Sequence, residues 1–196
     1  MRELSLHVLD LLQNSLEAEA TEIALDVDED READHLEIVV TDNGRGMAPD
    51  LVREATDPFV TSRTTRRVGL GLPMLAAAAS LCDGDLRVES TLGRGTSVTA
   101  RFRLSHIDRA PLGDMTSTIL SVLLREPPVV LRYRHRVGDS VFKFDSADVA
   151  SELEDVPLSH PKVRHWLREL LTEGFAGLYR GDGNAEGTND GGVASA

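Results

Sequence analysis

Apolar residues recur from residue 4 to residue 20 at the spacing of a single α-helical face. At about 100° per residue, the apolar arc of this helix consists of Leu4, Val8, Leu9, Leu11, Leu12 and Leu16. The opposite arc, roughly 80° wide by the same arithmetic, consists of His7, Asp10, Asn14 and Glu17. The pattern predicts a helix with one buried face, and most polar faces of this kind are simply solvated.

Alternating apolar residues then predict two β-strands, over 23–27 and 36–40. Seven of the twelve residues from Asp26 to Glu37 are acidic, so we interpret the stretch between the strands as an acidic hairpin loop. Pro49 is placed to start a short helix that runs through Thr56. The other elements predicted in the first 104 residues are a loop over 57–72, a helix over 72–81 and strands over 85–90 and 97–104.

The pattern changes after residue 104, where a helix capped by Asp114 precedes a hairpin and two short helices. The predicted bounds are 114–124 for the helix and 129–137 and 141–145 for the hairpin strands, which turn at Gly138 and Asp139. The last helix begins at Pro161 and ends at Gly174. We therefore predict a domain over 1–104, a helix-hairpin-helix extension over 105–180 and a disordered, glycine-rich tail over 181–196.

Composition and charge exclude several classes of function. The 196 residues carry 21 Lys and Arg against 33 Asp and Glu, and a net charge of −12 argues against broad binding to nucleic acid or anionic membranes. The single cysteine cannot form an internal disulfide. The longest uncharged stretch, residues 68–82, has 15 residues, fewer than the roughly 20 of a membrane span. We expect a cytoplasmic protein with neither nucleic acid nor membrane as a partner.

A first polar cluster follows the second predicted strand, where Asp42 precedes Gly44 and Gly46. A carboxylate at the end of a buried strand can accept a hydrogen bond from the exocyclic amine of adenine, and the glycines let a planar base approach the backbone. Asp-Asn and Asn-Gly pairs also form ordinary capped turns, and this alternative stays open.

A second cluster ends at Gly69 and Gly71, just before a predicted helix. Free backbone N–H groups at a helix start can meet phosphate oxygens. The pattern is neither the GxxxxGK[ST] loop nor the dinucleotide fingerprint, because the chain has no Gly-Lys pair and Met74 stands in the place of the third glycine. Hydroxyl and cationic residues lie just upstream, namely Thr61, Arg63, Thr64, Thr65, Arg66 and Arg67. A solvated basic loop is the alternative.

A third cluster is the pair Asp10 and Asn14, one helical turn apart. An amide oxygen is a suitable ligand for Mg²⁺, and a carboxylate can orient or deprotonate an attacking group. Taken alone, this pair also fits a solvated helix face.

Taken jointly and in their order along the chain, the clusters resemble the GHKL superfamily, the ATP-binding domain shared by histidine kinases, type II topoisomerases, mismatch-repair clamps and the large heat-shock chaperone. The motifs that carry the resemblance are HVLDLLQNSLEA (7–18), DNGRGM (42–47), DPFVTSR (57–63), VGLGL (68–72) and GRGTSV (93–98). They match the N box, the first glycine box, the phenylalanine box and the second and third glycine boxes.

The resemblance implies an α+β fold, a two-layer α/β sandwich with a mixed sheet, here followed by a small C-terminal α/β extension. It implies Mg-ATP as the ligand, with Asn14 on Mg²⁺, Asp42 on adenine and Asp10 as general base, and with Thr96 backing Asp42. The nucleotide contacts that it implies are Asn14, Glu17, Ala18, Asp42, Gly44, Gly46, Met47, Thr61, Arg63, Thr64, Thr65, Gly69, Leu70, Gly71, Leu72 and Thr96.

Two departures from the family pattern bear on activity. The general-base position is more often glutamate, and the shorter Asp10 reaches less far, which affects turnover more than binding. The lid between Phe59 and Gly69 has only nine residues, shorter than in many sensor kinases and similar to the small serine kinases that act as anti-sigma factors.

Three functions are compatible with the motifs. The first is a kinase that passes the γ-phosphoryl group to a separate protein, since the chain starts directly on the N-box helix with no phosphoacceptor helices before it. The second is a slowly hydrolysing ATP-driven switch, and the third is a nucleotide-binding module without turnover. We favour the kinase and leave a homodimer open.

Two other groups of residues have two interpretations each. His7 lies on the helix face of Asn14, and we interpret it as a surface histidine rather than a phosphoacceptor. Arg132, Arg134, Arg136 and Lys143 share one face of the predicted hairpin. We interpret that face as solvated, with a docking site for an acidic partner as the alternative.

Overall fold

Six strands form one mixed sheet. The structure, a computed structural model, describes residues 3–56, 71–125, 127–153 and 156–180. The strands are β1 (Glu22–Asp30), β2 (His35–Asp42), β3 (Leu86–Thr91), β4 (Gly95–Arg103), β5 (Val130–Val137) and β6 (Ser140–Asp145). Their order in the sheet is β3-β4-β2-β1-β5-β6, and every neighbouring pair is antiparallel except β1 with β5. The predicted α+β fold with a mixed sheet is confirmed.

The helices cover one face of this sheet. They are α1 (Leu4–Glu17), α2 (Pro49–Thr56), α3 (Gly71–Leu81), α4 (Met115–Leu123), α5 (Ser146–Glu152) and α6 (Pro161–Leu178). Alternate strand residues, such as Leu25, Ile38 and Ala100, are buried under the helices, while their neighbours in the strands are partly exposed. This alternation gives the two layers that were predicted. Within the described residues, no helix combines the length and apolarity that a membrane crossing requires.

The C-terminal hairpin belongs to the same sheet as the N-terminal strands. The backbone of β5 pairs with β1 in parallel from Glu22 opposite Val130 to Glu29 opposite Val137. The sheet is therefore continuous across residue 104, where a domain boundary was predicted, although that boundary itself stays a prediction. The hairpin turns at Gly138, which has a φ of +54°. The Asp114 cap of α4 is also confirmed, because its Oδ1 accepts a hydrogen bond from the Ser117 N–H at 2.8 Å.

The acidic stretch between the first two strands is mostly strand, and its interpretation as a loop is wrong. Strand pairing continues to Asp30 opposite His35, so only residues 31–34 form the turn. The reason is charge pairing with β5, which is distant in the sequence but lies next to β1 in the sheet. Arg136 on β5 contacts Asp28 at 2.6 Å and Asp30 at 3.3 Å. Local sequence cannot show that these acids have a cationic partner.

The arginines of the hairpin face therefore have acidic partners within the chain. Arg132 pairs with Glu22 on β1 at 2.9 Å and with Asp145 on β6 at 3.2 Å. Arg134 pairs with Asp26 at 3.7 Å. The Arg132 and Arg134 side chains are 54% and 40% exposed, so this face is a solvated ladder of ion pairs.

Gly174 does not end the last helix, contrary to the prediction, because α6 continues to Leu178. A Cβ at this position would lie 2.2 Å from Cε2 of Phe142 on β6. The glycine therefore lets the helix approach the ring closely, which is a packing role rather than a stop signal.

Candidate functional site

A cavity of about 380 Å³ lies between α1 and the β2 and β4 strands, a volume typical of small-molecule pockets. Its lining is mostly apolar, with polar groups from α1, from the turn after β2 and from β4. The lining residues are Leu11, Asn14, Ser15, Glu17, Ala18, Val40, Asp42, Arg45, Gly46, Met47, Leu51, Leu72, Thr96 and Val98.

Asp42, the last residue of β2, is held at this cavity by three hydrogen bonds. Its Oδ1 accepts from the backbone N–H of Gly44 at 2.9 Å and from that of Thr96 at 3.3 Å. Its Oδ2 accepts from the Ser15 hydroxyl at 2.7 Å. Because the three donors come from a turn, a strand and a helix, they fix the orientation of the carboxylate.

The turn after β2 leaves no space for side chains at two glycines. A Cβ at Gly44 would lie 2.7 Å from the carbonyl oxygen of Ala18, the residue that caps the end of α1. Gly46 has a φ of +64°, and a Cβ there would lie 2.1 Å from the carbonyl oxygen of Thr91. Backbone oxygens cannot move aside as a flexible side chain can. Both glycines are therefore required for the close packing of this turn.

Side chains on either side hold the same turn in place. Asn43 Oδ1 accepts hydrogen bonds from the backbone N–H groups of Thr21 and Glu22, at 2.9 and 3.0 Å. The Met47 N–H donates to the Ser90 hydroxyl oxygen at 2.8 Å, and that hydroxyl in turn donates to a carbonyl oxygen on β4 at 3.0 Å. Hydrogen bonds within the chain thus hold this wall of the cavity in place.

The polar face of α1 forms one side of the site. Asn14, Glu17 and Ala18 line the cavity, and Asp10 lies one turn earlier, beside the start of α3. A Cβ on Gly71 would lie 3.1 Å from the Asp10 Cβ and 3.3 Å from its Oδ2. Neither Asp10 nor Asn14 uses its side chain in a hydrogen bond with another described residue. Both side chains are available to a ligand.

Comparison with known proteins identifies the family. A sequence profile of the histidine kinase-, DNA gyrase B- and HSP90-like ATPases matches residues 2–106, more than half of the chain. The chain belongs to this family. The GHKL resemblance of its motifs is thereby confirmed, and the cavity lies within the matched region.

Relatives of this ATPase domain include a bacterial sensor protein kinase and a bacterial non-motile and phage-resistance protein. The sensor protein kinase FleS of Pseudomonas aeruginosa is 40% identical over 105 residues, which are 54% of this chain and 25% of FleS. The non-motile and phage-resistance protein of Caulobacter vibrioides is 31% identical over 111 residues, 52% of this chain and 13% of that protein. The chain thus matches a quarter or less of each relative. The Aquifex aeolicus MutL ATPase domain complexed with ADP aligns with a TM-score of 0.46 and 19% identity, over 79% of this chain and 68% of that one.

The structure brings most of the predicted contacts of the ATPase domain to one place. Those that line the cavity are Asn14, Glu17, Ala18, Asp42, Gly46, Met47, Leu72 and Thr96. Gly44 and Gly71 lie in the adjoining backbone. The remaining predicted contacts fall in residues 57–70, outside the described residues, and are Thr61, Arg63, Thr64, Thr65, Gly69 and Leu70.

Sequence reasoning missed several residues of the site. Ser15 was not predicted, although it is buried and bonds directly to Asp42. Its position offered a signal, because Ser15 is one turn after Leu11 on the apolar side of α1, where a hydroxyl needs a partner. Arg45 and Leu51 were also missed, and the sequence offered no comparable signal for either.

His7 is buried on α1, so its interpretation as a surface histidine is wrong. Burial lowers the pKa of His7, although the nearby Asp10 carboxylate acts in the opposite direction. Its Nδ1 has no hydrogen-bond partner among the described residues. A buried imidazole of this kind is poorly placed to accept a phosphoryl group and pass it to another protein.

The donor set of the site fits a magnesium nucleotide. Within the described part of the chain, no three His, Cys, Asp or Glu side chains come together as a metal site. Mg²⁺ takes few protein ligands and completes its coordination shell with phosphate oxygens and water. The single amide oxygen of Asn14 is therefore a sufficient protein ligand for it. The apolar walls and the accepting carboxylate of Asp42 suit a base that carries an amine.

Proposed function

We propose that this chain binds Mg-ATP in the cavity beside α1 and transfers the γ-phosphoryl group to a separate protein. The observation that carries the proposal is the Asp42 carboxylate, held by three donors at the wall of an apolar cavity within a histidine kinase-like ATPase domain. That arrangement offers an acceptor for the adenine amine and apolar walls for the ring. The relatives that are sensor kinases support a signalling role.

The other residues follow from their places around Asp42. In this proposal Val40, Leu72 and Val98 pack against the adenine ring. The backbone of the turn at Gly44 and Gly46 lies beside the edge of that ring. Asn14 holds Mg²⁺, which when bound neutralises phosphate charge and orients the phosphates. The start of α3 at Gly71 supplies free backbone N–H groups to the phosphate side.

Asp10 is the proposed general base. It lies on the Asn14 face of α1 and against the start of α3, so it is next to the phosphate side of the proposed site. During transfer, Asp10 takes the proton of the attacking side chain, the bond from the γ-phosphorus to the ADP oxygen breaks, and a bond to the acceptor side chain forms. ADP leaves with the electron pair of the broken bond.

We place the acceptor on another protein. None of the described residues that line the cavity is a histidine, and His7 is buried. We further propose that the activity is cytoplasmic and involves neither nucleic acid nor membrane, on the basis of the acidic net charge of −12. A homodimer remains compatible with the proposal and would be seen by light scattering of the purified chain.

One experiment separates this proposal from its alternatives. Purified protein is mixed with γ-labelled ATP, Mg²⁺ and cell extract, and labelled protein and free labelled phosphate are both measured. Label on another protein supports the kinase, free phosphate alone supports an ATP-hydrolysing switch, and neither product supports a binding module. Calorimetric titration with Mg-ATP comes first, because a folded protein that gives no heat and no change in melting temperature would contradict nucleotide binding altogether.

A further inference from the structure

Two exposed arginines lie on adjoining turns at the mouth of the cavity. Arg45 belongs to the turn after β2 and lines the cavity, and Arg94 belongs to the turn between β3 and β4. The backbone joins the two turns, because the Gly93 N–H donates to the Arg45 carbonyl oxygen at 2.7 Å. Neither guanidinium forms a hydrogen bond or an ion pair with another described residue. Both positive charges are therefore left uncompensated by the described part of the chain.

Arginines on the strands next to these turns have acidic partners. Arg87 on β3 contacts Glu89 at 2.7 Å, and Arg101 on β4 contacts Glu37 at 2.7 Å. The chain as a whole has a net charge of −12. Against that background, two neighbouring cations that no described acid neutralises form a local basic surface, which attracts negatively charged groups.

An exposed apolar side chain completes this surface. Leu92 is 69% exposed in the turn between β3 and β4, and a Cβ at Gly93 would meet nothing within 4 Å, so the outer side of this turn is open. The Arg94 N–H donates to the Thr91 carbonyl oxygen at 2.9 Å and closes the turn. We call Arg45, Leu92 and Arg94 the turn surface. It suits a protein partner, because a preformed surface loses little conformational freedom on binding and arginines are enriched at protein interfaces.

We propose that the turn surface is a docking site for an acidic segment of the protein that accepts the phosphoryl group. The identity of this partner as the acceptor rests on the proposed function. Arginine forms bidentate, charge-assisted hydrogen bonds with carboxylates, and an apolar residue among the acids of the partner can pack on Leu92. Nucleic acid fits this surface less well, because two cations neutralise few phosphates.

A nucleotide bound as proposed leaves the turn surface free for this partner. Its adenine lies at Asp42, on the side of the turn surface, whereas its phosphates lie beside Asn14 and Gly71 and do not pair with the two arginines. Arg45 also lines the cavity, so a segment docked on it narrows the mouth of the cavity. Docking of the partner should therefore slow the release of nucleotide.

The first test measures binding of a labelled peptide, Glu-Glu-Glu-Leu-Glu-Glu-Glu, to the purified chain without nucleotide, by fluorescence anisotropy. We expect this peptide to bind, its affinity to fall as salt is added, and a counterpart with glutamine in place of glutamate not to bind. Arg94→Ala and Arg45→Ala should each weaken binding by roughly tenfold, the value of one charge-assisted hydrogen bond. Arg87→Ala is the matched control, because that arginine is already paired with Glu89, and it should leave binding unchanged.

The second test measures the release of ADP that carries a fluorescent ribose label, with and without the acidic peptide. We expect the peptide to slow release from the intact protein and to have no effect on Arg94→Ala. An unchanged rate in the intact protein would reject the effect on the cavity mouth.

Three further results separate the docking surface from the proposed function. No binding of the acidic peptide, or equal weakening by Arg87→Ala and Arg94→Ala, would overturn the docking site. Binding of a thymidine oligonucleotide as tight as that of the peptide, and equally dependent on Arg94, would also overturn it, because the occupant would then be nucleic acid. Failure of the folded protein to bind ADP or ATP would reject the proposed function, while peptide binding that depends on Arg94 would still establish the docking surface.

Discussion

The Asn14 side chain lines the cavity and makes no hydrogen bond with another described residue, so its amide oxygen is free for a ligand. We predict that Asn14→Ala abolishes the Mg²⁺-dependent part of ATP affinity, because a hard cation loses its protein oxygen. Calorimetry with Mg²⁺ and with a chelator measures that part as a ratio. Gln13→Ala, an exposed neighbour on the same helix, is the control. If Asn14→Ala responds to Mg²⁺ like the intact protein, Asn14 is not the ligand.

Asp10 differs from Asn14 in that its proposed role is chemical. Asp10→Asn keeps the shape of the side chain but removes its basicity, so we predict nearly unchanged ATP affinity and a rate of phosphoryl transfer or hydrolysis lower by ~10²- to 10⁴-fold. The measurements are calorimetry and the initial rate of product formation. Equal losses in affinity and rate would instead indicate that Asp10 is structural. Glu19→Gln, just beyond the end of α1, serves as the control.

At the scale of single residues, the sequence predicts those site residues that lie close together along the chain. Asp42, Gly44 and Gly46 lie within five residues, and their turn can be recognised from composition. Ser15 reaches Asp42 across 27 positions in the sequence, and Ser90 reaches Met47 across 43. Serines are common and their partners are set by the fold, so neither contact is visible without the packed structure.

The turn that ends β2 gives a prediction about an element. Gly46 and Gly93 have φ values of +64° and +77°, but only Gly46 faces a backbone oxygen within clash distance, whereas a Cβ at Gly93 meets nothing within 4 Å. We predict that Gly93→Ala costs about 1 kcal/mol of unfolding free energy, from backbone strain alone. Gly46→Ala should cost ~3 kcal/mol or more, because Thr91 must also move. Urea unfolding measures both, and equal costs would contradict the close packing of this turn.

The carboxyl end of α6 is attached to the sheet by a chain of hydrogen bonds that runs from the exposed Tyr179 to the buried His135 and Tyr133. Tyr179 donates to Glu29 Oε1 at 2.5 Å, and the same oxygen lies 2.9 Å from His135 Nε2. His135 Nδ1 lies 3.0 Å from the Tyr133 hydroxyl. Burial raises the pKa of Glu29, but the hydrogen bonds from His135 and Tyr179, with the positive charge of Arg109 nearby, outweigh it and leave the pKa below its ordinary value of 4.5.

A lowered pKa in the folded state has a defined sign for stability. Glu29 stabilises the fold fully above its unfolded-state pKa, and this contribution is lost as the pH falls from about 4.5 through the lower folded value. We predict that the free energy of unfolding in urea declines below pH 4.5 and that Glu29→Gln flattens this decline. Glu173→Gln, an exposed site on α6, should leave the decline intact. The same decline in Glu29→Gln as in the intact protein would show that other groups cause it.

Element prediction succeeded where periodicity and caps are local and failed where charges meet across strands. The leucine spacing of α1 and the Asp114 cap of α4 are readable in sequence, because both depend on residues within one or two turns. The length of β1 is not readable in this way, because its acids are stabilised by Arg136, more than 100 positions away. The prediction that Gly174 ends the last helix was wrong for a related reason, because the ring that requires this glycine, Phe142, lies on another element.

For the whole molecule, β1 is the strand that connects the cavity to the C-terminal hairpin. On one side it pairs with β2, which ends at Asp42, and on the other with β5. An ion-pair ladder also links β1 and β5, from Arg132 with Glu22 to Arg136 with Asp28. A ligand bound at Asp42 should therefore stabilise residues well beyond the matched ATPase region.

Hydrogen exchange tests whether the chain unfolds as one unit or as two. If the sheet unfolds cooperatively, Mg-ATP at ~100 times its dissociation constant should slow the slowest-exchanging amides of β5 by about 100-fold, as much as those of β2. If residues 105–180 form a domain that unfolds by itself, β5 amides should keep their rates while β2 amides slow down. Asn14→Ala at the same ATP concentration is the control, because weaker binding should remove the protection in both strands. Protection confined to residues 1–104 would thus support the predicted boundary, and equal protection would make the hairpin part of the ATPase fold.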